Sequence, residues 1–304
     1  MSKYKILENK NVLVTGGAGF IGSHLCEKLL EIGANVYCID NLSTGNINNI
    51  ENILDNKKFK FYEGDITDLD YLKNNFKNIE YISHQAALGS VPRSILDPLS
   101  NHNSNVNGHL NILELAKINK VKLIVFASSS SVYGDSIDLP KIEKNVGNPL
   151  SPYALTKKIN EQYSKIYHLS YGLNYVGLRY FNVFGPKQDP NGPYAAVIPK
   201  FLNNLIAGKE IIINGDGFHE RDFTYIENVV DANLLSLISK KSVQNEYYNV
   251  GCGQKFNLNY LAKSIIEILN KFDCNVSYDL INHGPERDGD IKSSLASIEK
   301  ISKN

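Results

Sequence analysis

Short apolar runs alternate with stretches of helical periodicity up to about residue 180. Within 20–33, Ile21, Leu25 and Leu29 recur at helical spacing, and Gly33 suits a helix C-terminus. The pattern predicts strands at 11–15, 35–40, 60–66, 81–87, 122–129 and 174–180, and helices at 20–33, 103–120 and 151–172. Because short apolar strands alternate with helices, we predict an α/β fold built on a doubly wound parallel sheet.

The alternation breaks after about residue 181. Glycine and proline become frequent in three later segments, 184–199, 213–228 and 284–296. They predict a smaller, loop-rich α/β region, while a helix near 228–240 and a strand at 247–251 are expected to return to the sheet. The predicted domains are 1–180 plus about 229–251, and 181–228 plus 252–304.

The composition argues against several classes of partner. Lys+Arg and Asp+Glu each number 32, so no global positive field is available for nucleic acid or an anionic membrane. No apolar run approaches the ~18 residues of a membrane span, and the N-terminus lacks the ~7–15-residue apolar stretch of a signal peptide. Cys26, Cys38, Cys252 and Cys274 lack metal-binding spacing and are typical of reduced thiols. We therefore expect a cytoplasmic protein that binds neither nucleic acid nor membrane.

A glycine-rich turn follows the first predicted strand. Gly16, Gly19 and Gly22 in TGGAGFIG permit a tight turn and let a pyrophosphate approach the helix N-terminus. Asp40, 18 residues after Gly22, suits the ribose diol of NAD and would repel the 2′-phosphate of NADP. Asp65 in GDI is a candidate adenine contact or, equally, a plain turn residue. The alternative is a turn without a ligand, but the context predicts a Rossmann domain that binds NAD.

A tyrosine and a lysine lie one helical turn apart in the helix predicted at 151–172. Ser151 can cap that helix, and Pro152 suits its first position. Tyr153 and Lys157 are neighbours on one face, and an ammonium beside a phenol is expected to lower a phenol pKa that starts near ~10. Alone, Tyr-x-x-x-Lys is common on solvated helix faces. Beside the glycine turn and the serines of ASSSS at a strand end, it predicts an acid–base site.

The chain resembles a known family over nearly its whole length. TGxxGxxG, a serine followed by Val-Tyr-Gly, and Tyr-x-x-x-Lys mark the extended short-chain dehydrogenase/reductase superfamily. The longer stretches HQAALGSVPRS, ASSSSVYGD, SPYALTKKINEQY, LRYFNVFGPKQDPNGPYAAVIPKF and NGDGFHERDFTYIEN resemble the UDP-N-acetylglucosamine 4-epimerases of bacterial surface-polysaccharide pathways. In that family the chain continues past SLASIEK with a Gly-aromatic-x-Pro segment and further helices, whereas this sequence ends at Asn304.

The resemblance implies an NAD-dependent enzyme that interconverts UDP-GlcNAc and UDP-GalNAc through a transient 4-keto sugar. Tyr153, as phenolate, would take the proton of the sugar 4-hydroxyl. Ser129 would hydrogen-bond the 4-oxygen, and Lys157 would hold the nicotinamide ribose. NAD would take the hydride from C4 and return it to the opposite face, so it should stay bound. The family also forms homodimers, for which helices 103–120 and 152–171 would supply the contact.

The resemblance implies two sets of binding residues. The implied cofactor contacts are Gly16, Gly19, Phe20, Ile21, Gly22, Asp40, Asn41, Ser43, Thr44, Gly45, Asp65, Ile66, Gln85, Ala86, Ala87, Asn105, Tyr153, Lys157, Tyr180 and Asn182. The implied substrate contacts are Gly89, Ser90, Ser129, Ser130, Ser131, Asn182, Gln188, Ala196, Val197, Lys200, Asn214, Arg221, Arg287, Asp290 and Ser294. Arg221 and Arg287 would hold the UDP diphosphate, since a guanidinium suits bidentate phosphate contact. Asn182 and Lys200 are candidates for diphosphate or uracil contact.

The serine run separates the expected reaction from those of relatives. The 4,6-dehydratases of the superfamily carry Thr-Asp-Glu before Val-Tyr-Gly, and the UDP-glucuronate decarboxylases carry a Glu. This chain has Ser129, Ser130 and Ser131 at those places, and hydroxyls near neutral pH cannot take both carboxyl roles. Ser130 and Ser131 are expected to line the sugar pocket or, alternatively, to cap the strand end.

Ser294, in GDIKSSLA, bears on the choice of sugar. Epimerases restricted to non-acetylated sugars carry a bulky Tyr at the matching place, and a serine leaves room for an acetamido group. We therefore expect N-acetylated sugars to be preferred. The alternatives are a UDP-glucose/UDP-galactose 4-epimerase, another nucleotide-sugar-modifying member of the superfamily, or a catalytically silent NAD-binding sensor. Such sensors typically lack the Tyr or the Lys, and both are present here.

Overall fold

The fold is given by a computed structural model that describes residues 2–191, 195–286 and 292–304. Its strands are β1 (Asn11–Thr15), β2 (Asn35–Asp40), β3 (Phe59–Glu63), β4 (Tyr81–His84), β5 (Leu123–Ser129), β6 (Tyr175–Tyr180), β7 (Val183–Phe184), β8 (Ile211–Asn214), β9 (Glu220–Arg221), β10 (Thr224–Tyr225), β11 (Glu246–Val250), β12 (Phe256–Asn257) and β13 (Ile281–Gly284).

The helices connect these strands and cover the sheet. They are α1 (Phe20–Ile32), α2 (Leu69–Asn75), α3 (Val91–Leu96), α4 (Pro98–His102), α5 (Gly108–Asn119), α6 (Pro152–Tyr171), α7 (Val197–Ile206), α8 (Ile226–Leu237), α9 (Leu258–Lys271) and α10 (Glu299–Lys303). A π-helical segment (Asn103–Asn107) precedes α5, and short 3₁₀ segments span Ser2–Leu7, Ile47–Asn49, Glu51–Ile53, Ser130–Tyr133, Lys241–Val243 and Tyr278–Leu280. Among the residues described, no helix is both long and apolar enough to cross a bilayer.

Seven of these strands form one parallel sheet, ordered β11-β6-β5-β4-β1-β2-β3. The order reverses between β1 and β4, where successive connections leave in opposite directions. Doubly wound sheets bind ligands at such a switch point, outside the carboxyl ends of the strands. The predicted α/β class and parallel sheet are therefore confirmed, and the chain positions a site at the ends of β1 and β4.

Both faces of this sheet are buried. Val12 and Val14 of β1 point into one apolar cluster together with α1 and α8, and Leu13 points into a second cluster with α5. Because side chains alternate across a strand, a strand buried on both faces is continuously apolar, as the sequence of β1 is.

The later part of the chain builds smaller elements. β8 pairs in parallel with β13, β7 in parallel with β10, and β9 antiparallel with β12. A third apolar cluster lies between α7, β8 and α9 and includes Phe201, Ile213 and Ile266. β11 joins the main sheet and α8 packs on it, as the sequence pattern predicted for 247–251 and 228–240. The domain boundaries themselves stay a prediction.

Two predicted strands end earlier than expected. The strand predicted at 81–87 stops at His84 because the N–H of Ala86 donates to Thr15 Oγ1 (3.1 Å) instead of continuing the ladder. The strand predicted at 60–66 stops at Glu63, where Gly64 leads into a turn. In both places a polar side chain or a glycine takes the backbone out of the sheet near its carboxyl edge.

Candidate active site

The turn between β1 and α1 requires glycine at two positions. Gly16 has φ +66°, and a Cβ atom there would lie 2.7 Å from the backbone N of Ala86. A Cβ atom at Gly22 would lie 2.1 Å from the carbonyl O of Gly16. Gly19 is the N-cap of α1, which begins at Phe20. The unpaired N–H groups of the first helical turn are therefore available to an anion.

A cavity of about 810 Å³ opens beside this turn. Fourteen of the predicted cofactor contacts line it: Gly16, Gly19, Phe20, Ile21, Gly22, Asp40, Asn41, Ser43, Thr44, Gly45, Ile66, Gln85, Ala86 and Ala87. The predicted substrate contacts Gly89 and Gln188 line the same cavity. The predicted residues are thus gathered at the switch point of the sheet, from segments far apart in sequence.

Asp40 stands at the end of β2, against the glycine turn. Its Oδ2 accepts a hydrogen bond from Ala18 N (3.0 Å) and its Oδ1 one from Leu42 N (2.9 Å). Burial raises the pKa of Asp40, and these backbone hydrogen bonds oppose that effect. A Cβ atom at Gly45 would lie 2.7 Å from Oδ1, so the following loop packs directly on the carboxylate. Each oxygen keeps acceptor capacity that a ribose diol could use.

These features fit a dinucleotide such as NAD. The glycines leave room for a close ligand, and a carboxylate stands at the cavity wall. Gln188 adds a third observation, because its Oε1 atom is buried without a protein partner. A buried acceptor of this kind is expected to meet a donor from a ligand or a water molecule.

Asp65 shapes the cavity through its turn. Its Oδ1 accepts hydrogen bonds from Thr67 N (2.8 Å) and Thr67 Oγ1 (2.7 Å), and its Oδ2 accepts one from Asn41 (2.8 Å). Its neighbours Gly64 and Ile66 line the cavity. Asp65 therefore stabilises its own turn, and its contact with adenine stays a prediction.

Asn105 and Tyr180 do not line the cavity themselves but hydrogen-bond residues that do. Asn105 is buried, and its Oδ1 accepts a hydrogen bond from the N–H of Leu88 (2.8 Å), a lining residue. Tyr180 OH donates to Gln85 Oε1 (3.0 Å) and accepts from Asn233 (2.8 Å). Both predicted cofactor contacts thus hold lining residues in place.

The residues predicted for catalysis lie at the carboxyl end of β5 and the start of α6. Ser151 Oγ accepts a hydrogen bond from Ala154 N (3.1 Å), and Pro152 is the first helical residue, as predicted. The side chain of Ser129 lies close enough to the hydroxyl of Tyr153 to influence its pKa. Lys157 is on the same side of α6 and places its Nζ 5.9 Å from the Tyr153 ring centroid.

Burial dominates the electrostatics of this group. It lowers the pKa of Lys157, which is only 3% exposed, to about 8. Burial also raises the pKa of Tyr153, although the side chain of Ser129 acts in the opposite direction. This direction differs from the sequence-based expectation that Lys157 would lower the pKa of Tyr153. The reason is geometric, since Lys157 Nζ donates to the carbonyl O of Ala127 (2.8 Å) rather than to the phenol.

The serines of the run make different contacts. Ser129 Oγ accepts hydrogen bonds from the N–H (3.1 Å) and the hydroxyl (2.9 Å) of Ser131. Ser129 is therefore the N-cap of the short helical turn Ser130–Tyr133, and Ser130 and Ser131 lie within that turn rather than capping it. Ser128 points to the opposite side, is buried, and donates to Glu161 Oε1 (2.6 Å).

Glu161 belongs to a buried ion pair that sequence reasoning missed. Arg179 Nε donates to its Oε1 and Arg179 Nη2 to its Oε2, both at 2.8 Å, and both side chains are under 5% exposed. The pair ties α6 to β6, and Ser128 ties it to β5. The signals were an arginine inside the apolar strand sequence YVGLRY and a glutamate one turn after Lys157 on the same helix face.

Asp222 is a second buried carboxylate that was missed. Its Oδ1 accepts from Cys252 N (2.8 Å), and its Oδ2 accepts from Gly253 N (3.0 Å) and Ala296 N (3.1 Å). It is fully buried and joins the end of β11 to the segment that carries Ser294. The motif HERDF contains both residues, but the sequence predicted a role for Arg221 alone.

The remaining predicted substrate contacts are dispersed. Asn182 Nδ2 donates to the carbonyl O of Asp222 (3.3 Å), and Ser294 N donates to the carbonyl O of Glu220 (3.0 Å), so both lie near Arg221 on β9. Ser90 caps α3, Ala196 directly precedes α7, Val197 and Lys200 lie within α7, and Asn214 ends β8. Arg287 and Asp290 lie outside the described residues.

Comparison with known proteins gives one family match and many similar chains. Residues 12–251 match the NAD dependent epimerase/dehydratase family. A putative UDP-glucose 4-epimerase of Methanocaldococcus jannaschii is 45% identical over 252 residues, which are 82% of this chain and 79% of that protein.

Solved structures are similar over almost the whole chain. A UDP-N-acetylglucosamine 4-epimerase from Methanobrevibacter ruminantium, in complex with UDP-N-acetylmuramic acid, is 42% identical with a TM-score of 0.90, covering 97% of this chain and 92% of that one. A UDP-glucose 4-epimerase from Thermus thermophilus, in complex with NAD, is 34% identical with a TM-score of 0.85, covering 96% and 92%.

Proposed function

Because this chain belongs to the NAD dependent epimerase/dehydratase family, we propose that it interconverts UDP-GlcNAc and UDP-GalNAc by epimerisation at C4. The observation that carries the proposal is that Ser129, Tyr153 and the buried Lys157 come together at the end of β5 and the start of α6. This group lies at the same edge of the sheet as the cofactor cavity, two strands away from β1.

Each of these residues has a distinct task. NAD, when bound, supplies a hydride acceptor and donor for C4. Tyr153 takes the proton from the 4-hydroxyl and later returns it, and Ser129 hydrogen-bonds the same oxygen. Lys157 is held in place by its hydrogen bond to Ala127, beside the phenol, where its positive charge favours the phenolate.

Epimerisation is preferred to elimination because no carboxyl group stands in the serine run. Ser131 lies in the turn that Ser129 caps, and its N–H and hydroxyl both donate to Ser129 Oγ. An elimination of water needs an acid and a base beside the 4-keto sugar, and hydroxyl groups do not provide both near neutral pH. The remaining outcome of oxidation at C4 is reduction on either face.

For the sugar, we propose a preference for N-acetylated hexosamines on the basis of Ser294. Its half-buried side chain lies in a segment fixed by Asp222 and next to the strand that carries Arg221. The similar structure from Methanobrevibacter belongs to an enzyme that acts on an N-acetylated sugar nucleotide. A UDP-glucose 4-epimerase is the second candidate, because the Methanocaldococcus and Thermus relatives carry that name.

The direct test is an assay of the protein as purified, with UDP-GlcNAc and no added NAD. We expect UDP-GalNAc to form, and UDP-glucose to be converted less efficiently. Ser294→Tyr should abolish turnover of the N-acetylated pair while UDP-glucose is still converted, and Ser302→Tyr on the exposed surface of α10 is the control. Intact N-acetyl activity in Ser294→Tyr would remove the basis for the sugar assignment.

We also propose that the protein forms a homodimer through helices 103–120 and 152–171. Leu155, Tyr163, Ile166 and Leu169 form an exposed apolar stripe along α6, and Ile118 is exposed on α5. Stripes of this kind mark association surfaces. Ile166→Glu should convert a dimer into a monomer in analytical ultracentrifugation, and a wild-type protein that sediments as a monomer would contradict the proposal.

A cytoplasmic location and a role in surface-polysaccharide synthesis complete the proposal. All four cysteines are free thiols, which suits a reducing compartment. The polysaccharide pathway is supported by the sequence resemblance alone, and deletion of the gene followed by sugar analysis of the cell envelope would test it.

A further inference from the structure

One wall of the cofactor cavity comes from a segment far along the chain. Residues 187–190 follow β7 and line the cavity together with the glycine turn of β1 and α1. Gln188, whose Oε1 is buried without a protein partner, belongs to this segment. A ligand in the cavity is therefore enclosed between two parts of the chain that are separated by more than a hundred residues.

Lys187 fastens this segment to the opposite wall. Its Nζ donates to Glu27 Oε1 on α1 and to the carbonyl O of Asn49, both at 2.7 Å. Glu27 also accepts a hydrogen bond from Asn52 Nδ2 (2.7 Å), so the lysine and the asparagine converge on one carboxylate. Lys187 and Glu27 are each 24% exposed, which screens their attraction less than in an open surface pair.

The segment that contains Asn49 also holds the backbone of the glycine turn in place. Asn49 Nδ2 donates to the carbonyl O of Ala18 (2.9 Å), and Asn46 N donates to the same oxygen (3.0 Å). Both asparagines line the cavity. Lys187 thus contacts α1 and the segment that holds the backbone of the turn.

The backbone at Lys187 carries strain that its contacts must maintain. Its φ is +66°, a conformation that side-chain-bearing residues adopt at a cost of about 1 kcal/mol or more. A strained residue of this kind persists only where the surrounding structure determines its conformation, and the two hydrogen bonds of Nζ anchor the side chain at this position. The electrostatics of Glu27 agree, since burial raises its pKa but hydrogen bonds from Lys187 and Asn52 outweigh burial and leave the pKa lowered.

We propose that Lys187 is a positioning residue that closes the cofactor cavity, so that NAD leaves only after the bridge from Lys187 to Glu27 and Asn49 opens. The inference needs NAD binding, a property of the family, and does not depend on which sugar is epimerised. It explains how a cofactor that is regenerated in each turnover can be retained between turnovers.

The test is an exchange experiment on the holoprotein, without sugar. The purified protein is mixed with excess NAD labelled in the adenine ring, and the label that it gains is followed after desalting. Lys187→Met keeps a β-carbon, so the backbone strain is unchanged while the charge is removed. We expect label uptake to become about tenfold faster, in line with the loss of hydrogen bonds to a charged group.

Two further variants make the result specific. Lys28→Met removes a lysine that pairs with Glu31 on the exposed side of the same helix, and its exchange rate should equal that of the wild type. Glu27→Gln should accelerate exchange from the other side of the bridge, and Lys187→Met with Glu27→Gln should exchange no faster than Lys187→Met alone. Glu27→Gln also keeps the experiment decisive if Lys187→Met fails to fold.

Equal exchange rates in wild type and Lys187→Met, with both proteins folded and loaded with NAD, would overturn the proposal. Equal acceleration by Lys28→Met would overturn it as well, because the effect would then be a general one of charge. Since exchange is measured without a sugar nucleotide, neither result depends on the epimerase activity.

Discussion

At the scale of single residues, Tyr153 is the group whose chemistry decides activity. In this structure burial raises its pKa, so the phenol is protonated near neutral pH. Lys157 keeps a pKa of about 8 and is therefore largely cationic at neutral pH. The phenol can act as a base only when local charge compensates for burial, and Lys157 is the nearby side chain that can supply it.

Replacing Tyr153 by Phe should remove proton transfer and little else. The aromatic ring and its packing remain, and NAD content and thermal stability should stay close to those of the wild type. We expect kcat with UDP-GlcNAc to fall by about 10²–10⁴-fold, the usual contribution of a general acid–base residue. Tyr163→Phe, on the exposed side of the same helix, is the matched control and should leave kcat unchanged. A Tyr153→Phe enzyme with near-normal kcat would assign the proton transfer elsewhere.

At the scale of elements, the catalytic group depends on how α6 meets the sheet. Two bonds tie α6 to the end of β5, from Lys157 to the Ala127 carbonyl O and from Ser128 to Glu161. The ion pair of Glu161 with Arg179 adds β6 to the same assembly. Ser129 follows Ser128 directly, so these contacts determine where its hydroxyl meets Tyr153.

Glu161→Gln should destabilise the fold because it leaves the charge of Arg179 buried and unpaired. Breaking a buried pair from one side costs about 3–5 kcal/mol, so we expect a loss of free energy of unfolding of about 3 kcal/mol. Glu161→Gln combined with Arg179→Met should recover part of that loss. Denaturant unfolding of the three variants measures both effects. A double variant less stable than Glu161→Gln would mean that packing of Arg179, not its charge, dominates.

Much of the element pattern could be predicted, and the exceptions have physical causes. The glycine turn, Asp40 and the cap of α6 are local features, so spacing alone identifies them. The bridge from Lys187 to Glu27 and the pair of Arg179 with Glu161 could not be predicted. Each joins residues that are distant in sequence, and only the tertiary fold brings them together. The pKa direction of Tyr153 was wrong for the same reason, since burial is a property of the tertiary fold.

At the scale of the whole molecule, the predicted family and the NAD cofactor are confirmed by the family match, and the parallel sheet by the structure. That sheet also buries two histidines that the proposed reaction does not use. His84 Nδ1 is 2.6 Å from Thr15 Oγ1, and His109 Nε2 is 3.0 Å from Ser164 Oγ. Their ring centroids are 5.2 Å apart. These contacts join β1, β4, α5 and α6 in one core.

Neither histidine carries charge in the folded state at neutral pH. Burial, together with the charge of Lys157, lowers the pKa of His84 well below its ordinary value and that of His109 to about 3. In the unfolded chain both would titrate near ~6.5. Between these values the unfolded state binds more protons than the folded state, so acid shifts the equilibrium towards unfolding.

The contribution of the two histidines to stability should therefore be fully present above about pH 6.5 and be lost as the pH falls below that value, down to about 3 for His109. Each histidine contributes a slope of about 1.4 kcal/mol per pH unit well below pH 6.5. Denaturant unfolding at about pH 7 and about pH 5 measures this slope in the wild type and in His109→Gln, which keeps a polar partner for Ser164 and removes one titrating group. Because the range from pH 7 to pH 5 spans the unfolded pKa of about 6.5, we expect the average slope of the variant to be smaller by about 1 kcal/mol per pH unit. An unchanged slope would show that His109 is already protonated in the fold and that the acid sensitivity arises in other groups.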